Sequence, residues 1–303
     1  MVVPFVGFAR IVPDRASAAL PYHSALTAGD RWPAVPGTPH PFSRMLLLKL
    51  ALVPAAILLA TLAARRFGHA VSGVLAGFPL IAGPIIAALM IDLPPSQISG
   101  IGAATLAASP AAIAHIVAFA WLSRWLSWWA CLFGAALAFF AVGGMTTSAW
   151  IPASVGIVLA IAAPFLALLL MPRTSRIAGA VHVPRSEIAV RVGAAFVLAA
   201  AILASADHVP AAISGLLLAW PISGSILPSF TLPVHGHAAT VTLLRGFATG
   251  LIGFVMFFVS LVVLLRAWDA NWPSFAVAAC VSCAAGGTVH WLRQRSARTA
   301  PVR

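Results

Sequence analysis

Apolar residues run through this chain in long blocks, not in the alternation of a half-buried strand or the one-sided stripe of a surface helix. Nine blocks reach the roughly 17–25 mostly apolar residues that a bilayer-spanning helix requires. They fall near 45–64, 70–91, 99–122, 125–143, 150–171, 188–205, 211–231, 239–265 and 273–292. Only Ser123–Arg124 separates the third block from the fourth, which predicts a tight helical hairpin. The expected fold is all-α, a polytopic transmembrane helix bundle of about nine spans.

The residues between the blocks predict an orientation. Arg65 and Arg66 follow the first block, Arg124 the third, and Arg173, Arg176 and Arg185 the fifth. Arg293, Arg295, Arg298 and Arg303 follow the ninth. After the even-numbered blocks come Asp92, no charge, Asp207, and the pair Arg266/Asp269. By the positive-inside rule this alternation places the N-terminus outside and the C-terminus in the cytoplasm of a bacterial inner membrane. Trp150, Trp268 and Trp272 then mark the outer interface, and Trp121, Trp125 and Trp291 the inner one. Composition agrees: of 303 residues 61% are hydrophobic and 8% charged, too little charge to cover a soluble surface. The net charge of +12 is accounted for by loops, tails and anionic headgroups, so lipid and not nucleic acid is the expected partner. Residues 1–44 differ in kind, holding seven of the 23 prolines and the single tyrosine, Tyr22. They predict a disordered extension, and Met45 opens a stretch that itself reads as an N-terminus.

One stretch recurs. Ser72–Pro84 reads SGVLAGFPLIAGP, and 142 positions later Ser214–Ser225 reads SGLLLAWPISGS. Ser72, Gly73, Leu75 and Pro79 fall on Ser214, Gly215, Leu217 and Pro221, and Phe78 falls on Trp220, so an aromatic precedes each proline. The same offset puts Lys49 on Arg191. An odd number of spans, five, separates the copies, so the second copy is expected to run through the membrane in the opposite sense. The predicted organisation is an extension over 1–44, a four-helix repeat over 45–143, a connecting helix and cytoplasmic loop over 144–186, an inverted four-helix repeat over 187–292, and a basic tail over 293–303. Inverted repeats with discontinuous helices at their interface are a ground plan of secondary transporters.

Proline inside a helix removes one N–H donor and frees the carbonyl four residues back. Pro79 and Pro221 free those of Leu75 and Leu217; Pro84 and Pro228 free those of Leu80 and Gly224. In lipid such groups need new partners, and Ser223, Ser225 and Ser229 are candidates in the second copy. The candidate substrate path is therefore Pro79, Gly83 and Pro84 with Pro221, Ser223, Gly224 and Ser225; plain packing kinks are the competing reading. Arg245, in TVTLLRGFATG, points to an anionic group on a small-molecule substrate if it lies deep, or to the cytoplasmic interface if its helix protrudes. Lys49 and Arg191 are near enough to helix ends to snorkel. Gly73/Gly77 and Gly246/Gly250 are GxxxG packing pairs. No Asp or Glu lies inside a span, which argues against a carboxylate proton relay and against an acid/base enzyme. Cys280, Cys283 and His290 lack the second ligand pair of a metal site; His235 and His237 flank Gly236 in a polar turn. No cofactor-binding or catalytic motif is present.

Each half thus reads as a basic residue early in the first span, then Ser-Gly-x-Leu and an aromatic-Pro, then further spans. This resembles the GlpM-like group of small four-span bacterial inner-membrane proteins, and more so double-length relatives bearing SGxLxGxPxxxGP. Ala219 and Ser225 depart from that signature. The resemblance implies architecture and no activity. A permease or exporter is the expected function, a non-transporting scaffold or envelope-biogenesis accessory its alternative.

Overall fold

Uninterrupted apolar sequence in lipid has one economical backbone solution, the α-helix, because every N–H and C=O must be bonded within the segment. The computed structural model describes residues 74, 77–147, 153–174, 185–205 and 209–298, and every regular element among them is helical. In chain order these are α1 (Ala82–Leu89), α2 (Pro95–Leu122), α3 (Trp128–Thr146), α4 (Ala153–Leu170), α5 (Arg185–Ser205), α6 (Ala211–Ala219), α7 (Ile222–Trp268) and α8 (Asn271–Arg298). The expected extension 1–44, the span 45–64 with Lys49, and Ser72, Gly73 and Leu75 lie outside the described residues.

Four stretches among the described residues are long and apolar enough to cross a membrane: Pro95–Leu122, Trp128–Thr146, Ala211–Trp268 and Asn271–Val289. Val155–Leu170 and Val192–Ile202 are shorter apolar helices. The surface is that of a membrane-embedded protein. Phe133, Leu137 and Phe140 on α3 and Leu169 on α4 stand exposed, a display that water would penalise and lipid does not. Inside, α2 packs on α3, α4, α6 and α7, and α7 packs in addition on α5 and α8. Ile85 and Ile86 of α1, Ile116 and Phe119 of α2, and Leu243, Leu244, Phe257 and Phe258 of α7 form the fully buried centre.

Three boundaries differ from the sequence reading. The hairpin turn spans Ser123–Ser127, longer than the two residues expected, because Arg124, Trp125 and Leu126 still bond back onto the end of α2. The basic tail begins as helix, since α8 continues to Arg298. The stretches 211–231 and 239–265 are bounded differently as well: the first breaks at Trp220–Pro221, where a broken helix was expected, but its second part joins the next stretch in α7. Within α7 only Gly236 is non-helical, at φ 75°, ψ −177°, a region open essentially to glycine. It divides α7 into arms over 222–235 and 237–268. The HxH pair is therefore a helix junction, with His237 Nδ1 2.8 Å from the Ser123 hydroxyl.

Proline chemistry inside α2 is handled locally. Pro110 cannot donate to the Leu106 carbonyl, and the Ser109 hydroxyl does so at 2.8 Å. Two glycine crossings bring backbones together. A Cβ on Gly77 would run into the Phe247 carbonyl and lie 2.9 Å from Gly250 Cα; a Cβ on Gly215 would lie 2.5 Å from Ala104 Cβ and 2.6 Å from Thr105 N. Gly77 and Gly250 thus act as the small-residue pairs were expected to, though each pairs across helices.

Gly250→Val should accordingly lower the stability of the detergent-solubilised protein by about 1–3 kcal/mol, seen as a lower melting temperature. Gly144→Ala, where a Cβ meets nothing within 4 Å, should be neutral or stabilising by up to about 1 kcal/mol.

Candidate functional site

The two aromatic-proline pairs break their helices in the same way. In the first, Leu80 N donates to Phe78 O at 2.7 Å and Gly83 N to Pro79 O at 2.7 Å. In the second, Ile222 N donates to Trp220 O at 2.9 Å and Ser225 N to Pro221 O at 2.8 Å. These two bonds map from one break onto the other at an offset of 142 positions. Pro221 sits at φ −82°, ψ 72°, the inverse γ-turn, which fits the fixed φ of proline. The Leu217 carbonyl that Pro221 frees is taken by Trp220 N at 3.2 Å. The serines do other work than expected: Ser225 Oγ donates to the Pro221 carbonyl at 2.9 Å and Ser229 Oγ to the Ser225 carbonyl at 2.7 Å.

The aromatics anchor the breaks on other helices. Phe78 lies against Gly253 of α7 and Gly286 of α8, where side chains at those glycines would collide with its ring. Trp220 lies against α2 and α3, edge-on to His115 at 5.4 Å and to Phe139 at 4.8 Å, and stacked on Phe140 at 5.6 Å.

Between the two breaks is a cavity of about 40 Å³. Gly77, Phe78, Ile81 and Ala82 line it from the first break; Leu218, Ala219, Pro221, Ile222 and Ser223 from the second. Phe247, Leu251 and Phe254 of α7 complete the wall. At 10–15 Å³ or more per water, this is room for about three water molecules. Its one side-chain polar group is the Ser223 hydroxyl, which has no hydrogen-bond partner among the described residues. No charged side chain lines it.

Of the sequence-predicted residues, Pro221 and Ser223 line this cavity. Pro79, Gly83, Pro84, Gly224 and Ser225 belong to the breaks without lining it, and Gly224 packs against the Phe247 ring. Arg245 lies apart from them. Its guanidinium donates to the carbonyls of Met171 and Pro172, at 3.2 and 3.4 Å, just past the end of α4. Trp121 Nε1 donates to the neighbouring Leu170 carbonyl at 2.9 Å. The carbonyls at a helix C-terminus have no partners of their own and carry partial negative charge, which an arginine answers. Cys280 and Cys283 are exposed on α8, and no group of three metal-ligating side chains occurs among the described residues.

One polar residue escaped the sequence reading, although its position there was plain: His115, within the span 99–122. It is completely buried in α2, with Nε2 3.0 Å from Ser225 Oγ and no hydrogen-bond partner for Nδ1. A histidine beside a serine invites comparison with a hydrolase dyad. The geometry here opposes it, because Ser225 gives its proton to the Pro221 carbonyl and does not line the cavity.

No family model, curated protein or solved structure matches this chain, and its chemistry is read from these residues alone.

Arg245→Gln should lower the melting temperature, since a shorter neutral side chain leaves buried carbonyls unanswered at about 1–3 kcal/mol. It should leave unchanged the reactivity of a cysteine placed at Ser223. A changed reactivity at 223 would tie Arg245 to the cavity after all.

Proposed function

We propose that this protein is an inner-membrane carrier for a small solute, built as two inverted four-helix repeats around α4, with the paired breaks as its translocation site. The single observation that carries this reading is the cavity shared by two breaks whose hydrogen bonds coincide at an offset of 142. Helix bounds support it too. Shifted by 142, residues 82–89 become 224–231 in the first arm of α7, 95–122 become 237–264 in its second arm, and 128–146 become 270–288, beginning within one residue of the start of α8 at Asn271. The glycine crossings and aromatic anchors are reciprocal, each broken helix packing on helices of the other half. In the nine-span arrangement the N-terminus is outside and the C-terminus cytoplasmic, and α4 is the unduplicated connecting span. The likeness to GlpM-like proteins belongs to this reading as an architectural one.

The walls favour a substrate without obligatory charge. An anion would find no cation among the lining residues, and Arg245 is engaged at α4. Aromatic walls and one hydroxyl suit a small neutral or weakly polar solute, and the present volume fits a closed state that must widen to pass it. No enzymatic step is part of the proposal.

The scaffold reading retains one favourable observation: a volume fit for about three waters is also what two imperfectly packed helix breaks would leave. Cysteines at Ala82 and Ser223, one from each break, separate the two in a chain otherwise free of cysteine. A water-soluble thiol reagent should modify both, while a cysteine at the fully buried Leu244 stays protected. Protection of all three in folded protein would favour the scaffold.

A further inference from the structure

We propose that His115 is a proton-binding site, through Nδ1, and that its protonation is transmitted by Ser225 to the second break and opens the neighbouring cavity to water. The transmission to a water-filled path rests on the carrier reading above.

The hydrogen bonds fix the tautomer. Ser225 Oγ lies 2.9 Å from the Pro221 carbonyl and 3.0 Å from His115 Nε2. A carbonyl can only accept, so making both bonds requires the serine proton to go to Pro221 and the imidazole proton to reside on Nε2. Nδ1 is then a bare lone pair, buried and without a partner. A polar atom left so is costly, and this lone pair is the one position on the ring where a further proton can bind. The other half has no such group: the offset places Phe257 where His115 stands and Gly83 where Ser225 stands, so the duplicated scaffold carries this chain of bonds on one side alone.

Protonation changes the balance of forces at the break. An imidazolium has two N–H donors and a full charge, and an apolar surround does not tolerate an isolated charge. Around the ring are the Trp220 edge, Ser225 and the Ala135 backbone of α3. On the helices packed against α2, the titratable or charged side chains are Cys131 on α3 and His235, His237, Arg245 and Arg266 on α7; α4 and α6 carry none. Cys131 bonds to the Leu126 carbonyl, His237 to Ser123, Arg245 to the end of α4 and Arg266 to Ser99. No carboxylate is among them, and the Ala135 backbone can offer a hydrogen bond but no countercharge, so water admitted through the cavity is the available means of solvating the charge. The Pro221 carbonyl, which joins Ser225 to the cavity wall, is where that rearrangement starts.

The test uses the full chain in proteoliposomes equilibrated to one pH on both sides, with Cys131, Cys280 and Cys283 replaced and a cysteine at Ser223. Thiol modification is inherently pH-dependent through the thiolate, so the readout is the ratio of rates with His115 present and with His115→Gln. Glutamine keeps an N–H for Ser225 and cannot titrate. Between about pH 8 and pH 4, a range that extends below the one in which histidine ordinarily changes charge, the ratio should rise severalfold as the pH falls. Ser225→Ala, which retains the imidazole, should remove that rise and serves equally if the glutamine variant does not fold. A ratio that stays flat while the cysteine reacts overturns the proton linkage and leaves the water-lined path standing. A rise that persists undiminished in Ser225→Ala overturns the serine route. Failure of the cysteine to react at any pH overturns the path itself, and this proposal with it.

Discussion

A peptide carbonyl in hydrocarbon has to be bonded, and most of what is distinctive in this protein follows from how it meets that demand where prolines interrupt its helices. The solution at both breaks is local. The proline occupies the centre of a three-residue turn, the residue after it donates back across the turn, and the next helix starts with a bond to the carbonyl of the proline itself. At the second break the carbonyl that Pro221 frees, that of Leu217, is closed by the Trp220 N–H without any distant side chain. That corner is held by its own backbone, and the carbonyl of Leu217 makes no demand on the space beside it. That is why the cavity can be apolar, with Ser223 as its sole side-chain hydroxyl, and still sit where two helices stop.

Close backbone approach is the second constraint. Gly77 against Gly250 and Gly215 against Ala104 place each broken helix within van der Waals reach of a long helix, and the aromatic preceding each proline then enters a space its neighbours leave open. Phe78 needs the missing side chains of Gly253 and Gly286. Trp220 finds aromatic partners in Phe139 and Phe140. The two solutions differ in residues and agree in geometry, as expected if packing volume rather than identity is what the fold requires.

The spacing of apolar blocks made the helices legible, because length and hydropathy alone decide whether a segment suits lipid. The breaks were legible too, since an aromatic-proline pair recurring at a fixed offset is visible without coordinates. What the sequence withheld was partnership. Nothing local to Arg245 reveals that the end of α4 lies within its reach, and an arginine among leucines reads naturally as a ligand for something absent. The hydroxyls of Ser225 and Ser229 were assigned to freed carbonyls because those needed partners; the structure gives Leu217 a backbone partner, and the serines bond one turn back. His115 is legible in the sequence, an imidazole inside a span and as titratable as a carboxylate, but its bond to Ser225 joins residues 110 positions apart.

The end of α4 is held from two directions. Trp121 reaches it from α2 and Arg245 from α7, so consecutive carbonyls at and just past its last residue are shared between long helices that are far apart in sequence. In mechanical terms α4 is a cross-brace, fixed at one end to both principal beams of the bundle. A rotation of α2 relative to α7 cannot leave it indifferent. Either the brace travels with one beam and its bonds to the other are cut, or the two beams move together and the motion is confined to the short helices that the brace does not grip.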